Sequence, residues 1–247
     1  MRLIILAAGY GGRLTPATEV TPKALLELSP QVTIMDRQLE SAKECGISSV
    51  RIVVGFQAEK IEAKIKERSD LELDIDIFYN PFYRTTNNLV SLWMARSAMD
   101  EDFIMLNGDD VFRPSVLAQL IRTSAEIGVI ISRKERYDED DAKLIIHNDR
   151  IIRFGKDIPF EQANAEWIGM CSVKGKSRKR FIQKMDSLIR EPALRDGPPH
   201  YLSLFQGLAD DGLSLYPVEI DADAWSEVDY QMDLQFVRTH LTRFSDC

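Results

Sequence analysis

Near the start of the chain, Leu6-Ala7-Ala8-Gly9-Tyr10-Gly11-Gly12-Arg13-Leu14 is followed, ten residues after Arg13, by the lysine of Thr21-Pro22-Lys23-Ala24-Leu25. Small residues let backbone N–H groups come close to an anion, because no Cβ stands between the main chain and phosphate oxygens. Arg13 adds a guanidinium that can fork onto two oxygens, and Lys23 adds a point charge on a long stem. The combination suits a triphosphate. Two common phosphate loops are excluded by spacing: Gly9, Gly11 and Gly12 do not make GxGxxG, and this loop lacks the Gly-Lys-Ser/Thr of a Walker A motif.

A second set of groups is acidic. Asn107-Gly108-Asp109-Asp110 closes the apolar run Phe103-Ile104-Met105-Leu106, and Glu227 and Asp229 precede the last helical pattern. Two hard oxygen ligands suit Mg²⁺, which takes its remaining ligands from water and phosphate oxygens. Taken singly, Asp109 also fits a turn, and Asp229 the start of a helix, where the macrodipole favours an acid. His147, His200 and His240 share no metal-ligand spacing, and no Ser-His-Asp arrangement is visible.

Such groups need a frame. Short β-branched segments alternate with helical patterns, the sign of a largely parallel sheet with helices on both faces. Strands are expected at Arg2–Leu6, Val50–Val54, Leu71–Phe78, Phe103–Leu106, Val129–Ser132, Trp167–Val173 and Leu213–Val218. A hairpin pairs Lys143–Ile146 with Ile151–Phe154 around His147-Asn148-Asp149. Helices are expected at Met35–Cys45 (closed by Gly46), Ala58–Arg68, Pro114–Glu126, Lys176–Ile189, Tyr201–Ala209 and Tyr230–Leu241. Asn88 is placed as the cap of a helix through Leu89 and Trp93. Glu191-Pro192 and Asp196-Gly197-Pro198-Pro199 read as loops inside one domain, residues 1–247, with residues 1–130 as a nucleotide-binding half and 131–247 as an acceptor-binding and metal-completing half.

Composition narrows the function classes. Among the 247 residues, 31 lysines and arginines face 39 aspartates and glutamates, a net charge of −8, which disfavours nucleic acid or an anionic membrane as a partner. Three scattered cysteines, Cys45, Cys171 and Cys247, fit neither a disulfide framework nor a zinc site, and the expectation is a cytoplasmic protein. The basic run Lys174–Arg180 reads as a solvated helix start, and Asp138–Asp141 as a turn before the hairpin.

The string Leu-Ala-Ala-Gly-x-Gly-x-Arg-Leu with its downstream Pro-Lys-Ala-Leu resembles the N-terminal signature of the sugar-phosphate nucleotidyltransferase superfamily. Two further blocks resemble the phosphocholine and 2-aminoethylphosphonate cytidylyltransferase branch: Tyr79-Asn80 with Thr86-Asn87-Asn88-Leu89-Val90-Ser91-Leu92, and Gly155-Lys156 with Glu166-Trp167-Ile168-Gly169-Met170. The resemblance covers nearly the whole chain. It implies an α/β, Rossmann-like (glycosyltransferase-A-like) three-layer sandwich with a mixed, mainly parallel central sheet. It also implies Mg²⁺ held by Asp109 and Asp229, with Glu227 and Asp110 as alternates.

Nucleotide contacts are then expected from Leu6, Ala7, Ala8, Gly9, Gly11, Gly12, Asn80, Asn88, Ser91 and Asp109. An amide such as Asn88 can both donate to and accept from a pyrimidine edge. Arg13, Lys23 and Lys156 are the expected catalytic residues, with Lys156 meeting the acceptor's phosphate or phosphonate; a solvated loop lysine is the alternative. Glu166 and Trp167 are expected at the acceptor, as counter-ion and ring for an ammonium group, with Tyr83, Tyr201 and Trp225 as further rings, although such rings also serve as core. The expected reaction transfers CMP from CTP to a small phosphonate or phosphorylated alcohol and releases pyrophosphate. A sugar-1-phosphate uridylyl- or thymidylyltransferase and a catalytically silent nucleotide-binding module are the alternatives. A homodimer is allowed by this reading.

Overall fold

A computed structural model describes residues 1–191 and 200–246. The expected loop at 192–199 and Cys247 lie outside the described residues. In chain order the elements are β1 (Arg2–Ala7), β2 (Glu27–Ser29), β3 (Val32–Thr33), α1 (Ile34–Glu44), β4 (Ser49–Val54), α2 (Ala58–Glu67), β5 (Asp74–Tyr79) and α3 (Asn88–Met94). Then come β6 (Phe103–Asn107), β7 (Asp110–Phe112), α4 (Pro114–Arg122), β8 (Ile127–Ser132), β9 (Lys143–His147), β10 (Arg150–Gly155) and β11 (Ala165–Val173). The chain continues through α5 (Ser177–Arg190), α6 (Tyr201–Asp210), β12 (Tyr216–Glu219), β13 (Trp225–Glu227) and α7 (Gln231–Thr239).

Strands β6, β1, β4 and β5 lie side by side and parallel, the apolar run of β1 being buried between two neighbours. Alternation along β1 sends Leu3 and Ile5 to one face and Ile4 and Leu6 to the other. On the first face they meet Met35 and Leu39 of α1, Ile61 of α2 and Leu117 of α4. On the second they join a core built from Leu92 of α3, Phe181 of α5 and Phe205 of α6. Two helical layers on one sheet give the expected three-layer sandwich. A third cluster, with Leu14, Val111, Val228 and Leu234, seats α7 beside the Gly-rich loop after β1.

The parallel rhythm is interrupted by β11, which runs antiparallel to β6, β8 and β9, before β12 pairs parallel with β8. Its second half pairs with β6 through Cys171–Val173, its first half with β9 through Ala165–Glu166, and its register slips between Trp167 and Cys171. Gly169 lies in this slip at φ +81, and a Cβ there would collide with the Asn107 amide. Only glycine therefore lets β11 pass the C-terminal end of β6 so closely. The small β13–β7 ladder sets Glu227 opposite Asp110.

Several expected elements are corrected. Leu71 ends a 3₁₀ turn, Ser69–Leu71, and Glu72 takes φ 54, so β5 starts only at Asp74. Helix α4 stops at Arg122, four residues early, because the chain turns extended at Thr123 and leads into β8. The strand expected at Leu213–Val218 is β12, Tyr216–Glu219, and two short strands, β7 and β13, had too few residues to show a period. No described helix is long and apolar enough to cross a membrane.

Candidate active site

The C-terminal ends of β1 and β6 open into a cleft of about 770 Å³, at the sheet edge where open α/β folds collect ligands. Leu6, Ala7, Ala8 and Gly9 line it directly, as do Arg13 and Lys23. Gly11 and Gly12, expected at the nucleotide, do not line it. Gly11 has another role: it adopts φ +67, and a Cβ there would lie 2.7 Å from Lys23 Cγ. Its bare backbone makes room for the lysine stem.

Lys23 Nζ donates to Asp109 Oδ2 at 2.9 Å and also to Asp229 Oδ1. Arg13 Nη2 donates to the other oxygen of Asp229 at 2.5 Å, and its Nη1 to Tyr230 Oη at 3.3 Å and Asp140 Oδ2 at 3.2 Å. Residues more than 200 positions apart thus share one cluster. Burial opposes charge on Lys23, but the two carboxylates hold its ammonium above the ordinary lysine range.

Asp109, Glu227 and Asp229 each offer an oxygen within 4.8 Å of the other two. Three hard oxygen donors match Mg²⁺, whose ligand distance of about 2.1 Å puts two of its oxygens within about 4.2 Å, so a small inward adjustment suffices. The Lys23 ammonium between Asp109 and Asp229 shows that these oxygens already accept a cation. Glu227 keeps accessible surface in the open cleft. Enclosure by the cleft walls and the neighbouring Asp109 and Asp229 push its carboxyl up to about 8. Asp110 stands outside this trio. It is fully buried, and burial, then Asp109 and Glu227, drives its carboxyl well above the usual range.

Two supports were not legible in the sequence. Gln38 of α1, itself buried, donates its amide to Asn107 O at 3.0 Å and Asp110 O at 2.8 Å, holding the turn that carries Asp109. Val228 N donates to Asp109 O at 3.1 Å, tying the β13 segment to the same turn. A glutamine at a buried helical position is the only available signal for the first.

Among the expected base-pocket residues, Asn88 and Ser91 line the cleft and Asn80 does not. Asn80 is fully buried, donating to Ser91 Oγ at 3.0 Å and accepting from Phe82 N at 2.9 Å. It shapes the turn behind the wall. Asn88 is not the helix cap: Asn87 holds that position, and Asn88 Oδ1 accepts from Tyr201 N at 3.2 Å, satisfying the first turn of α6 instead.

At the far end, Lys134 Nζ lies 2.7 Å from Glu166 and 2.8 Å from Asp141. Glu166 therefore already has a cation from this chain. Trp167 reaches the cleft with little of its ring: it is 3% exposed, donates Nε1–H to Met170 O, and packs against Tyr201 and Phe205. That ring is mainly core, as large aromatics usually are. Lys156 lines the cleft 4.0 Å from Asp140, and His200 and Tyr201 border it from α6. Lys134, Asp140, Asp141 and His200 are cleft residues that the sequence did not single out, because a turn's acids, a lone histidine and one surface lysine carry no spacing signal.

Comparison with known proteins points to one family and one fold. A profile of the nucleotidyl transferase family matches residues 2–154. The CTP:phosphoglutamine cytidylyltransferase of Campylobacter jejuni is 27% identical, the match covering 95% of this chain and 98% of that protein. The CMP-5'-(3-aminopropyl)phosphonate synthase of Streptomyces rubellomurinus is 30% identical over 93% of this chain but only 37% of its own length. Among solved structures, the inositol-1-phosphate CTP transferase from T. maritima superposes with a TM-score of 0.80 at 21% identity, covering 100% of this chain and 98% of that one. The CTP:phosphocholine cytidylyltransferase from Streptococcus pneumoniae gives 0.75 at 22%, covering 97% and 98%. At such identities the structures speak for the fold. With the family profile spanning more than half of its residues, the chain belongs to the nucleotidyl transferase family.

Proposed function

We propose that this chain is a Mg²⁺-dependent cytidylyltransferase that transfers CMP from CTP to a small phosphonate or phosphorylated alcohol, such as 2-aminoethylphosphonate or phosphocholine, and releases pyrophosphate. The observation that carries this reading is the convergence of Arg13 and Lys23 on Asp109 and Asp229 in one cleft. The names of the relatives, which act with CTP or make CMP conjugates of phosphorylated and phosphonate compounds, support it. Residues 1–130 would supply the nucleotide side and 131–247 the acceptor side.

A phosphate or phosphonate oxygen is already anionic near neutral pH, so the reaction needs no strong general base. That oxygen bonds to the α-phosphorus as the bond to the bridging oxygen breaks, and pyrophosphate leaves with the electron pair. The residues' work is alignment and charge stabilisation. Arg13 holds the departing phosphates, and Lys23 offsets charge on the α-phosphate once it exchanges its carboxylate partners for phosphate oxygens. Asp109, Glu227 and Asp229 would hold Mg²⁺, which, when bound, neutralises part of the triphosphate charge. Lys156 would meet the acceptor anion, and Asn88 and Ser91, which line the same cleft, the base and ribose.

The test is a pyrophosphate-release screen of CTP, UTP, dTTP and ATP against phosphocholine, 2-aminoethylphosphonate, hydroxyalkylphosphonates and sugar 1-phosphates. CTP with a phosphonate or phosphoalcohol should lead. A preference for UTP or dTTP with a sugar 1-phosphate would overturn the reading, and CTP binding without turnover would make the chain a silent nucleotide-binding module.

A further inference from the structure

Lys143 opens β9, opposite Glu166 of β11 and Gly155 of β10, and is only 1% exposed. Lysine is rarely so buried, because withdrawing an ammonium from water is costly unless it is well paired. Its partners here are uncharged: Nζ donates to Asp138 O at 3.0 Å and Glu139 O at 3.4 Å, and lies 5.2 Å from the centre of the Phe160 ring. Both carbonyls belong to the turn whose acids Asp138, Asp140 and Asp141 line the cleft.

That turn reaches cations from three parts of the chain. Asp140 accepts from Arg13 and from Tyr230 Oη, 3.3 Å away, and faces Lys156, while Asp141 holds Lys134. Asp138 N also donates to Asp141 Oδ2, which closes the turn on itself. With one ammonium fixed in the sheet and bonded to two successive carbonyls, the turn's main chain cannot swing away from the cleft without leaving a buried charge unsatisfied.

We propose that Lys143 is a positioning residue: it clamps the turn 138–141 to the sheet so that Asp140 and Asp141 hold Lys156 and Lys134 in place at the acceptor end. Its kinetic consequence rests on the reaction proposed above; the clamp itself does not.

The experiment compares wild type, K143M, K143R, D140N and the K143M/D140N double variant by hydrogen–deuterium exchange over residues 138–142 and by steady-state kinetics. K143M should speed exchange in that segment and raise the acceptor KM about tenfold, equivalent to ~1.4 kcal/mol of lost positioning, with the CTP KM within about twofold because Arg13 keeps Asp229 and Tyr230 when Asp140 moves. K143R, which keeps a charged donor, should restore most of both. D140N should raise the acceptor KM similarly, and the double variant should add little further. Unchanged exchange in K143M would overturn the clamp, as would acceptor and CTP KM values rising together or a lowered Tm with intact KM values. If methionine prevents folding, K143Q, with a single donor arm, is read by the same two measurements and should show a smaller effect in the same direction. A wild-type enzyme inactive with every substrate pair sinks the proposed reaction, whereas the exchange data still decide the clamp.

Discussion

Two lysines in the cleft are each bracketed by two carboxylates, and the difference between them separates chemistry from scaffolding. Lys23 lies between Asp109 and Asp229, and Lys134 between Glu166 and Asp141. At Lys23 a third acid, Glu227, stands close by, and the neighbouring Arg13 rests on the same Asp229. Three carboxyl groups surround one lysine and one arginine here, so an incoming divalent ion has oxygen ligands and an incoming triphosphate has donors. Around Lys134, among the described residues, no set of three carboxylates comes together as it does at Lys23. Glu166 is buried in a strand, and desolvation, only partly offset by Lys134, raises its carboxyl above the usual value. On the proposed reading, the first arrangement exchanges its ions for a substrate and the second holds a wall.

If that contrast is right, D109A or D229A should cause the largest loss, on the order of 10²-fold or more in kcat. The variants should keep a native circular dichroism spectrum. Pyrophosphate release near the wild-type rate would break the comparison at its centre. K23M should lose about 10²-fold in kcat by removing a charge that acts on the transition state.

The other end should respond mainly in stability. K134M leaves Glu166 buried beside Asp141 without its cation, and a loss of about 2 kcal/mol is expected in urea unfolding, below the ~3–5 of a fully buried pair because Lys134 is itself 32% exposed. A kcat collapse in K134M with unaltered stability would show that the two lysines are alike after all.

The smallest effect concerns His200, which opens α6 by accepting from Leu202 N at 3.3 Å. Burial, and to a lesser extent the charge of Lys156, lowers its imidazole from 6.5 to about 4. The unfolded chain then binds a proton that the folded one refuses, so this contribution is full above about pH 6.5 and declines as pH falls toward 4. H200N keeps a capping side chain and removes the titration. Its stability should vary less than wild type between pH 7 and 5, by about 1–2 kcal/mol in paired urea titrations. Parallel curves would place His200 in solvent rather than in the wall.

Much of this site can be read along the chain. The Gly-rich loop and Asp109 announce themselves because each follows a buried apolar strand, and strand ends in an open α/β sheet converge on one edge, while Lys23 is marked only by its spacing from Arg13 in the N-terminal string. Place before the last helix pointed to both Glu227 and Asp229, and only the family resemblance preferred Asp229; nothing local says which acid it faces. The frame was legible for a similar reason, since β1, β4 and β6 are apolar runs long enough to announce buried parallel strands. Elements of three residues, such as β7 and β13, show no period at all, and these set Glu227 opposite Asp110.

What the sequence determined by itself was therefore the cations and acids at the centre of the candidate site and the layer they hang from, because both depend on local pattern. Tertiary structure alone decided how those groups are partnered. It put Asn80 behind the wall, turned Asn88 toward the start of α6, and made Trp167 largely core. It also gave Glu166 a lysine, and Lys143 two carbonyls of the acidic turn. Pairing of buried polar groups is settled by which donor and acceptor meet once water is excluded, and that is a property of the packed fold rather than of any stretch of sequence.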